Sequence, residues 1–383
     1  MAVTFTSTSY VGELAKEPVA DILLSGDTIS KGAIMVHPEV KKKEFIQTLT
    51  TNATFQARAD AFTASGATTV AERSLTPTNL MTQEEVGVTV LLTAWQAAQM
   101  KPGANNNALT DDISSFLIGR KAQIITNQID ELIWQGSTAL TSNTIRKWHD
   151  GILTLAKADS SVTKYKPGYL ATSAVTVGAA TSLTVSSTTN LNVGDKVTCL
   201  GYAGADAADL NGLTFTILSI TSATVFVINA VTTGHTITTA AGGIYFINKS
   251  NVIAALEGML RATPAQVRQA PDFAIYVPDH VAEAYIDANM AAGIGHGVAY
   301  QNEYGLLYKG KQIFRQLFFD ENTILTTRVE NLWFGTDLVS DQNEVSALYM
   351  KPNTGDDTYR FSAKFSSSVN YGFASQMLMM YPY

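Results

Sequence analysis

The sequence predicts an α+β protein whose chain is interrupted by an all-β segment. Three observations lead to this fold class: a long helical pattern at residues 109–136, a threonine-rich run of short strands at 170–245, and mixed helix and strand patterns from residue 246 onward. Helix and strand patterns that follow one another are typical of α+β domains, and short strands with frequent turns are typical of a small barrel or sandwich.

The helical pattern LTDDISSFLIGRKAQIITNQIDELIWQG predicts the longest helix of the chain. Thr110 is a candidate N-cap, and Gly136 is a candidate left-handed stop. Because two apolar faces need two partners, we expect a spine helix with a sheet packed against it, although any long core helix would fit the same pattern. The two apolar stripes are Ile113, Phe116, Leu117 and Ile124, and Ile118, Ala122, Ile125, Ile129 and Leu132.

The composition indicates a subunit of an assembly. Charged residues make up 15% of the 383 residues, whereas about 25% is usual for soluble domains. With so few charges and no apolar run of the ~20 residues that a transmembrane helix needs, we expect much of the surface to be covered by other copies of the chain. The N-terminus lacks the pattern of a signal peptide.

Charge and cysteine content exclude several classes of function. The net charge is −7 and there is no arginine-rich arm, so tight sequence-specific binding of nucleic acid is not expected. The single cysteine, Cys199, cannot form an internal disulfide or a zinc cage. The short basic run Lys41–Lys43 is interpreted as a solvated face.

Residues 1–44 predict an extended arm with a short helix at Val11–Leu24, and residues 45–100 predict a long hairpin. The hairpin strands are expected at Phe45–Ala59 and Glu85–Trp95, with a tip of small polar residues at Ala61–Asn79. Isolated hairpins are only marginally stable, so we expect this one to pack on another subunit. The predicted contact residues are Phe62, Leu75, Arg58, Glu72 and Arg73.

The remaining segments predict further elements. A second helix is expected at Ser142–Ala158, followed by a barrel or sandwich at 170–245. Its predicted strands are Ser182–Val185, Lys196–Leu200, Leu213–Ile220, Val225–Ile228 and His235–Thr239. After it we expect a helix capped by Ser250, a helix after Pro278, and strands at Phe273–Val277, Gln312–Phe319, Thr323–Val329, Val345–Met350, Thr358–Phe365 and Ser368–Met380.

No motif supports an enzyme. The stretch from Gly305 to Gln312 has the two glycines and the lysine of a phosphate-binding loop, but Gln312 replaces the Ser or Thr that binds magnesium. A turn between strands is the better interpretation. The five histidines are scattered without ligand spacing, so neither a metal nor a cofactor is expected. Gly293, Gly295, His296 and Gly297 predict a loop rather than a dinucleotide site.

The C-terminal part carries a resemblance. Asn322–Leu325, the run Glu330–Leu338, Tyr359–Phe361 and the closing VNYGFASQMLMMYPY follow one another in a way that resembles the major capsid proteins of tailed double-stranded-DNA bacteriophages, which have the Hong Kong 97-like fold. The order of elements carries this resemblance, because no single motif is specific.

The resemblance implies an N-terminal arm (1–44), an extended loop (45–100), a peripheral domain with the spine helix (101–169), an inserted β-domain (170–245), an axial domain (246–340) and C-terminal strands of the peripheral and axial core (341–383). The loop with Gly293, Gly295, His296 and Gly297 would lie at the capsomer axis.

The implied function is structural. Pentamers and hexamers of the chain would form an icosahedral head around packaged double-stranded DNA, located in the virion and assembled in the host cytoplasm. Portal and decoration proteins are candidate partners. Scaffolding is expected from a separate protein, or is dispensable, since only about 44 residues precede the hairpin and they lack a long helical pattern. Two alternatives stay open: an encapsulin-like nanocompartment shell, and a β-rich tail or adhesion protein.

Overall fold

The computed structural model describes residues 8–11, 26–58, 60–87, 111–143, 145–165, 169–239, 242–292, 306–337, 344–350 and 354–382. The chain forms two compact units: residues 1–155 with 330–372, and residues 156–329 with 373–383. Residues 156–165, which we expected in the peripheral domain, therefore lie in the second unit. Residues 330–337, which we expected in the axial domain, lie in the first.

Within the described residues the helices are Asp27–Ser30, Asp111–Gln135, Ile152–Ala158, Val252–Ala262, Ala265–Arg268 and Asp279–Ala291. The strands are β1 (Thr8–Val11), β2 (Met35–His37), β3 (Glu44–Ala53), β4 (Gly66–Leu75), β5 (Thr78–Gly87), β6 (Thr163–Tyr165), β7 (Tyr169–Thr176), β8 (Thr181–Val185), β9 (Lys196–Leu200), β10 (Thr214–Ile220), β11 (Val225–Ile228), β12 (Gly243–Phe246), β13 (Phe273–Pro278), β14 (Leu306–Tyr308), β15 (Lys311–Gln316), β16 (Ile324–Arg328), β17 (Leu332–Gly335), β18 (Glu344–Tyr349), β19 (Thr358–Tyr371) and β20 (Leu378–Met380).

A six-stranded sheet forms the centre of the first unit, in the order β1-β18-β19-β17-β2, with β5 also paired to β19. Strand β19 is continuous to Tyr371, whereas the sequence predicts a break after Phe365 and a last strand from Ser368 to Met380. The serines that suggest a break are buried and bonded inside the sheet. Ser368 Oγ donates to the Gly335 carbonyl at 3.0 Å, and Ser366 Oγ accepts the Asp337 N–H at 3.0 Å.

The spine helix runs from Asp111 to Gln135, as the sequence predicts, and packs against β18 and β19. Ile125, Ile129 and Leu132 are buried, which confirms the second predicted stripe at these three positions, while Ala122 is half-buried. Ile124, assigned to the other stripe, is largely exposed, and the Thr110 cap lies outside the described residues. No helix among the described residues has both the length and the apolar character needed to span a membrane.

Gly136 ends the spine helix for a different reason from the one predicted. Its backbone is not left-handed. A Cβ at this position would lie 2.3 Å from the His149 carbonyl oxygen, and the Gly151 N–H donates to the Gly136 carbonyl at 2.8 Å. Close approach of two backbones therefore requires the glycine. The helix expected at Ser142–Ala158 is limited to Ile152–Ala158, because the preceding residues form the turns of this contact.

The N-terminal segment is attached to the spine helix by buried polar contacts. Trp134 Nε1 donates to Thr28 Oγ1 at 2.9 Å, and Asp130 Oδ2 accepts the Thr28 N–H at 3.5 Å. Burial of Asp130 raises the pKa of its carboxyl group. The helix predicted at Val11–Leu24 lies outside the described residues except for Val11, which ends β1.

The second unit contains a closed six-stranded barrel in the order β10-β11-β8-β7-β12-β9. Four of its strands were predicted nearly to the residue. The segment His235–Thr239 was predicted as a strand but forms only an isolated bridge, Ala203 with Thr238. The Thr236 N–H donates to the Asp206 carboxylate at 2.7 Å. This backbone group is therefore bonded to a side chain and not to the backbone of a neighbouring strand.

A second six-stranded sheet has the order β14-β15-β13-β16-β20-β6. Helices Val252–Ala262 and Asp279–Ala291 contribute to its core, although the predicted Ser250 cap is wrong: the cap position is Asn251, and Ser250 Oγ donates to Asn248 Oδ1 at 2.5 Å instead. The main buried apolar residues are Val252, Leu256, Met259, Ile275, Val277, Val281, Ile324, Leu378 and Met380.

Asn322 joins the barrel to this sheet. Its Nδ2 donates to the Lys196 carbonyl at 3.2 Å and to Thr198 Oγ1 at 3.0 Å, both on β9. Its Oδ1 accepts the Ile247 N–H at 2.9 Å, at the end of β12. The residue is fully buried and has φ = 56°, a left-handed conformation that asparagine adopts more readily than most residues.

We expect Asn322→Ala to lower the free energy of unfolding of the second unit by about 3–5 kcal/mol, because buried partners lose their hydrogen bonds and alanine is strained at positive φ. Asn322→Gly removes the same bonds without that strain and should be less destabilising by about 1 kcal/mol. Urea unfolding of both variants measures this. Losses below 1 kcal/mol in both would show that Asn322 does not hold the junction.

His149 is a buried neutral histidine of the first unit. Its Nε2 lies 2.9 Å from Ser367 Oγ, and its Nδ1 lies 3.2 Å from the Asp150 carbonyl oxygen. A neutral ring satisfies both contacts if Nδ1 donates and Nε2 accepts. Burial lowers the pKa of His149 from 6.5 to about 4.

Because the unfolded chain binds this proton more tightly, the His149 contribution to stability is complete above pH 6.5 and is lost as the pH falls toward 4. We expect unfolding free energy to decrease by about 2 kcal/mol between pH 7.5 and pH 5 on account of this residue. His149→Gln should make that part of the pH dependence disappear in urea titrations. An unchanged pH dependence in the variant would contradict the assignment.

Candidate assembly surface

The hairpin of β3 and β4 is a two-stranded sheet of its own. Ten residue pairs run from Glu44 opposite Leu75 to Ala53 opposite Gly66. The return strand is therefore Gly66–Leu75, and not Glu85–Trp95 as the sequence suggested. Residues 78–87 form β5, which pairs with β19 instead, while residues 88–95 lie outside the described residues. The tip is residues 54–65 rather than Ala61–Asn79.

The base of the hairpin is fixed to the first unit. Leu75 is 0% exposed and belongs to a small core cluster with Val40 and Trp333. Arg73 lies over the Tyr371 ring, with its guanidinium carbon 4.3 Å from the ring centroid. Asn370 Nδ2 donates to the Ser74 carbonyl at 2.8 Å. Leu75 was predicted to contact a neighbouring subunit; that prediction is wrong, because its side chain is buried inside its own chain.

Apolar side chains are exposed along the rest of the hairpin. Phe62 is 96% exposed, Phe55 is fully exposed, and Phe45, Leu49 and Val70 each expose more than half of their surface. A two-stranded sheet cannot cover both of its faces, and exposed apolar residues in one place are typical of interaction sites. Phe62 is thus available for the predicted contact, and Phe55 is a residue that the sequence analysis did not select.

Polar contacts hold the hairpin in shape without burying it. Thr48 Oγ1 donates to the Ala71 carbonyl at 3.1 Å, and Gln47 Nε2 donates to Glu72 Oε1 at 3.2 Å. At the tip, Gln56 Nε2 donates to the Thr63 carbonyl at 2.7 Å. Arg58 and Glu72 are exposed, so both are accessible to a second molecule.

The loop that resembles a phosphate-binding motif is a turn between strands, as the sequence analysis preferred. Lys309 and Gly310 have φ values of 48° and 74° and connect the antiparallel strands β14 and β15. No helix follows, so the backbone cradle of a P-loop is absent from this turn. Gly293, Gly295, His296 and Gly297 lie outside the described residues.

The titratable groups of the described residues give no metal centre. In the part of the chain that the structure describes, no three His, Cys, Asp or Glu side chains form a group that could hold a metal ion. Cys199 is buried inside the barrel, where burial raises the pKa of its thiol to about 12. A thiol in that environment is not a nucleophile at neutral pH.

A hairpin was predicted in this region, but the pairing of β3 with β4 was not. Residues 66–75 read as a loop because they are small and polar, yet they pair with β3 over ten residues. The apolar residues Val70 and Leu75 lie an odd number of positions apart, so they face opposite sides of the strand. This spacing was the available signal that Leu75 and Val70 have different environments.

Comparisons with known proteins gave similarity in structure alone. No protein-family model matches the sequence, and no curated protein matches it. Among solved structures, the capsid of a native GTA particle has a TM-score of 0.50 at 9% identity, covering 93% of this chain and 90% of that one. The capsid of Myoviridae phage XM1 has a TM-score of 0.49 at 10% identity, covering 94% and 92%.

The procapsid of satellite phage P4 has a TM-score of 0.45 at 10% identity, covering 95% of this chain and 98% of that one. At identities near 10% a structural similarity shows only that the folds are alike. The conclusion about the fold is based on the GTA capsid, which has a TM-score of 0.50. The α+β class is confirmed, and the resemblance to capsid proteins is confirmed at the level of the fold. The described chain has the fold of a capsid protein.

Proposed function

We propose that this chain is a major capsid protein that assembles into pentamers and hexamers and forms an icosahedral shell around double-stranded DNA. The proposal includes a Hong Kong 97-like arrangement with the barrel as an inserted domain, and a structural rather than enzymatic role. The observation that carries it is the exposed apolar hairpin on a chain with a capsid-protein fold.

The hairpin supports assembly because it needs a surface outside the unit that anchors it. Its two most exposed aromatic residues, Phe55 and Phe62, lie at the tip, while Leu75 at its base is buried in the same chain. Such an element fits a head-to-tail contact, in which one surface meets a different surface of the next copy. Contacts of this kind form closed rings when the rotation between successive copies divides a full turn evenly. Burial of Phe55 and Phe62 would contribute roughly 1.5–3 kcal/mol each.

The barrel is compatible with an insertion because its ends are adjacent. Tyr169 at the start of β7 pairs with Tyr245 near the end of β12, so the chain enters and leaves the barrel at neighbouring strands. A segment with adjacent ends can be added to a domain without moving the elements on either side.

The encapsulin-like alternative would form the same kind of shell and would differ in its contents, which would be protein cargo instead of DNA.

Assembly is tested directly on the full-length protein. We expect sedimentation velocity to show rings of five and six chains or closed particles, and negative-stain microscopy to show closed shells. Particles that protect DNA from nuclease would support the phage-type function, and particles that hold only protein would favour the encapsulin-like alternative. A stable monomer at all pH and salt conditions, or fibres and tubes, would contradict the proposal.

The contribution of the tip is tested by the double variant Phe55→Ser, Phe62→Ser. We expect it to fold normally, because neither residue is buried in the chain, and to form particles that dissociate at lower guanidinium concentration. Trypsin should cut after Arg58 in free protein and be blocked in particles.

The matched control is Val193→Ser, Leu218→Ser, which removes two exposed apolar residues of the barrel segment. It should leave particle stability unchanged. Equal particle stability of the tip variant and the native protein would remove the hairpin tip from the subunit contacts.

A further inference from the structure

A cavity with several basic residues lies in the second unit. It has a volume of about 440 Å³ and is lined by the end of helix Val252–Ala262, by the short helix after it and by the β14–β15 turn. Its charged side chains are Arg261, Arg268, Lys309, Lys311 and Glu257. Four cations and one carboxylate give the cavity a formal charge of +3, on a chain whose net charge is −7.

The contacts inside the cavity orient these cations. Glu257 Oε1 accepts hydrogen bonds from Arg261 Nη2 at 2.8 Å and from Lys309 Nζ at 3.4 Å. The positive charge of Arg261 lowers the pKa of the Glu257 carboxyl group most, and that of Lys309 lowers it further. The group is therefore ionised at neutral pH. The one carboxylate of the cavity is thus shared between two cations and leaves the others uncompensated within it.

Arg268 and Lys311 are held at defined positions. Arg268 Nη1 donates to the Leu260 carbonyl at 2.9 Å, which covers an acceptor in the last turn of helix Val252–Ala262. That contact uses one of the five N–H donors of the guanidinium. Lys311 Nζ lies 5.7 Å from the centre of the Phe273 ring. Lys309 and Gly310 form a left-handed turn, and both lysines line the cavity.

We propose that this cavity binds phosphate groups. Its charge of +3 suits a ligand with more than one negative charge, such as a phosphate dianion or two successive phosphodiesters, while a single carboxylate would leave most of the charge uncompensated. Arginine and lysine together are the usual ligands of phosphate, the first through its planar fork and the second as a point charge.

The phosphate can come from a free anion or from a nucleic-acid backbone. The nucleic-acid source rests on the proposed function, because a shell around DNA would bring phosphodiesters to its subunits. The phosphate site itself depends only on the cavity. For this reason it is tested on unassembled protein, where a failure of assembly and a failure of binding are observed separately.

The experiment measures the affinity of full-length, unassembled protein for a fluorescein-labelled 20-base-pair DNA by anisotropy, with inorganic pyrophosphate and poly-glutamate as competitors. The variant is Lys309→Asn, Lys311→Gln, in which asparagine suits the left-handed position. We expect it to bind DNA about tenfold more weakly at low salt, and the slope of log affinity against log salt to decrease by about 2.

A second variant tests the opposite direction. Glu257→Gln removes the one carboxylate of the cavity and should tighten DNA or pyrophosphate binding several-fold. Two matched controls lie in the same unit and outside the cavity: Lys164→Gln with Lys249→Gln, and Glu283→Gln. Each control should change affinity less than twofold.

The competition experiment distinguishes the two sources of phosphate. Competition by pyrophosphate supports a site for free phosphate, and binding of DNA without such competition supports a site for the backbone. Equal affinity of the lysine variant and its control, or stronger competition by poly-glutamate than by pyrophosphate and unlabelled DNA, would overturn the proposal.

Discussion

A two-stranded sheet cannot bury both of its faces, and this constraint governs the hairpin of β3 and β4. The first unit holds only its base, where Leu75 is buried with Val40 and Trp333, and leaves Phe55 and Phe62 in water. The base is held by contacts with the sheet around β19, since Trp333 lies in β17 and Asn370 and Tyr371 lie in β19, which pairs with β5, β17 and β18. An element that is anchored at one end and apolar at the other is suited to contact a second copy of the chain, and the proposed assembly follows from this arrangement.

The sequence predicts a helix or strand well when apolar residues recur along it with a single, uninterrupted period. The spine helix and strands such as β9 and β11 carry an uninterrupted pattern, and the structure has them within about one residue. The return strand β4 was missed because its small polar residues favour a loop and are ordered only by pairing with β3. The sequence predicts a left-handed stop at Gly136, but the backbone there is constrained by the approach of His149, which lies beyond the helix pattern, thirteen residues further along the chain. Contacts between distant segments are what local patterns do not contain.

Net charge describes the surface of this protein incompletely. The acidic net charge of the whole chain gave no indication of a cavity where Arg261, Arg268, Lys309 and Lys311 converge. The phosphate-loop likeness at Gly305–Gln312 failed as a motif, since the segment is a hairpin turn. The same turn nevertheless places two lysines in a cavity that is also lined by arginines from two helices. The chemistry of the site therefore comes from the fold around the turn and not from the motif.

Hydrogen–deuterium exchange of the hairpin tests the central claim most directly. Amides of residues 44–75 are compared in unassembled protein and in purified particles, with the barrel strands at 181–228 as an internal reference. We expect slower exchange at 54–65 and along the outer half of both strands once particles form, with little change in the reference strands. Identical exchange of residues 44–75 in both states would show that the hairpin contacts no neighbouring subunit and would contradict its proposed role in assembly.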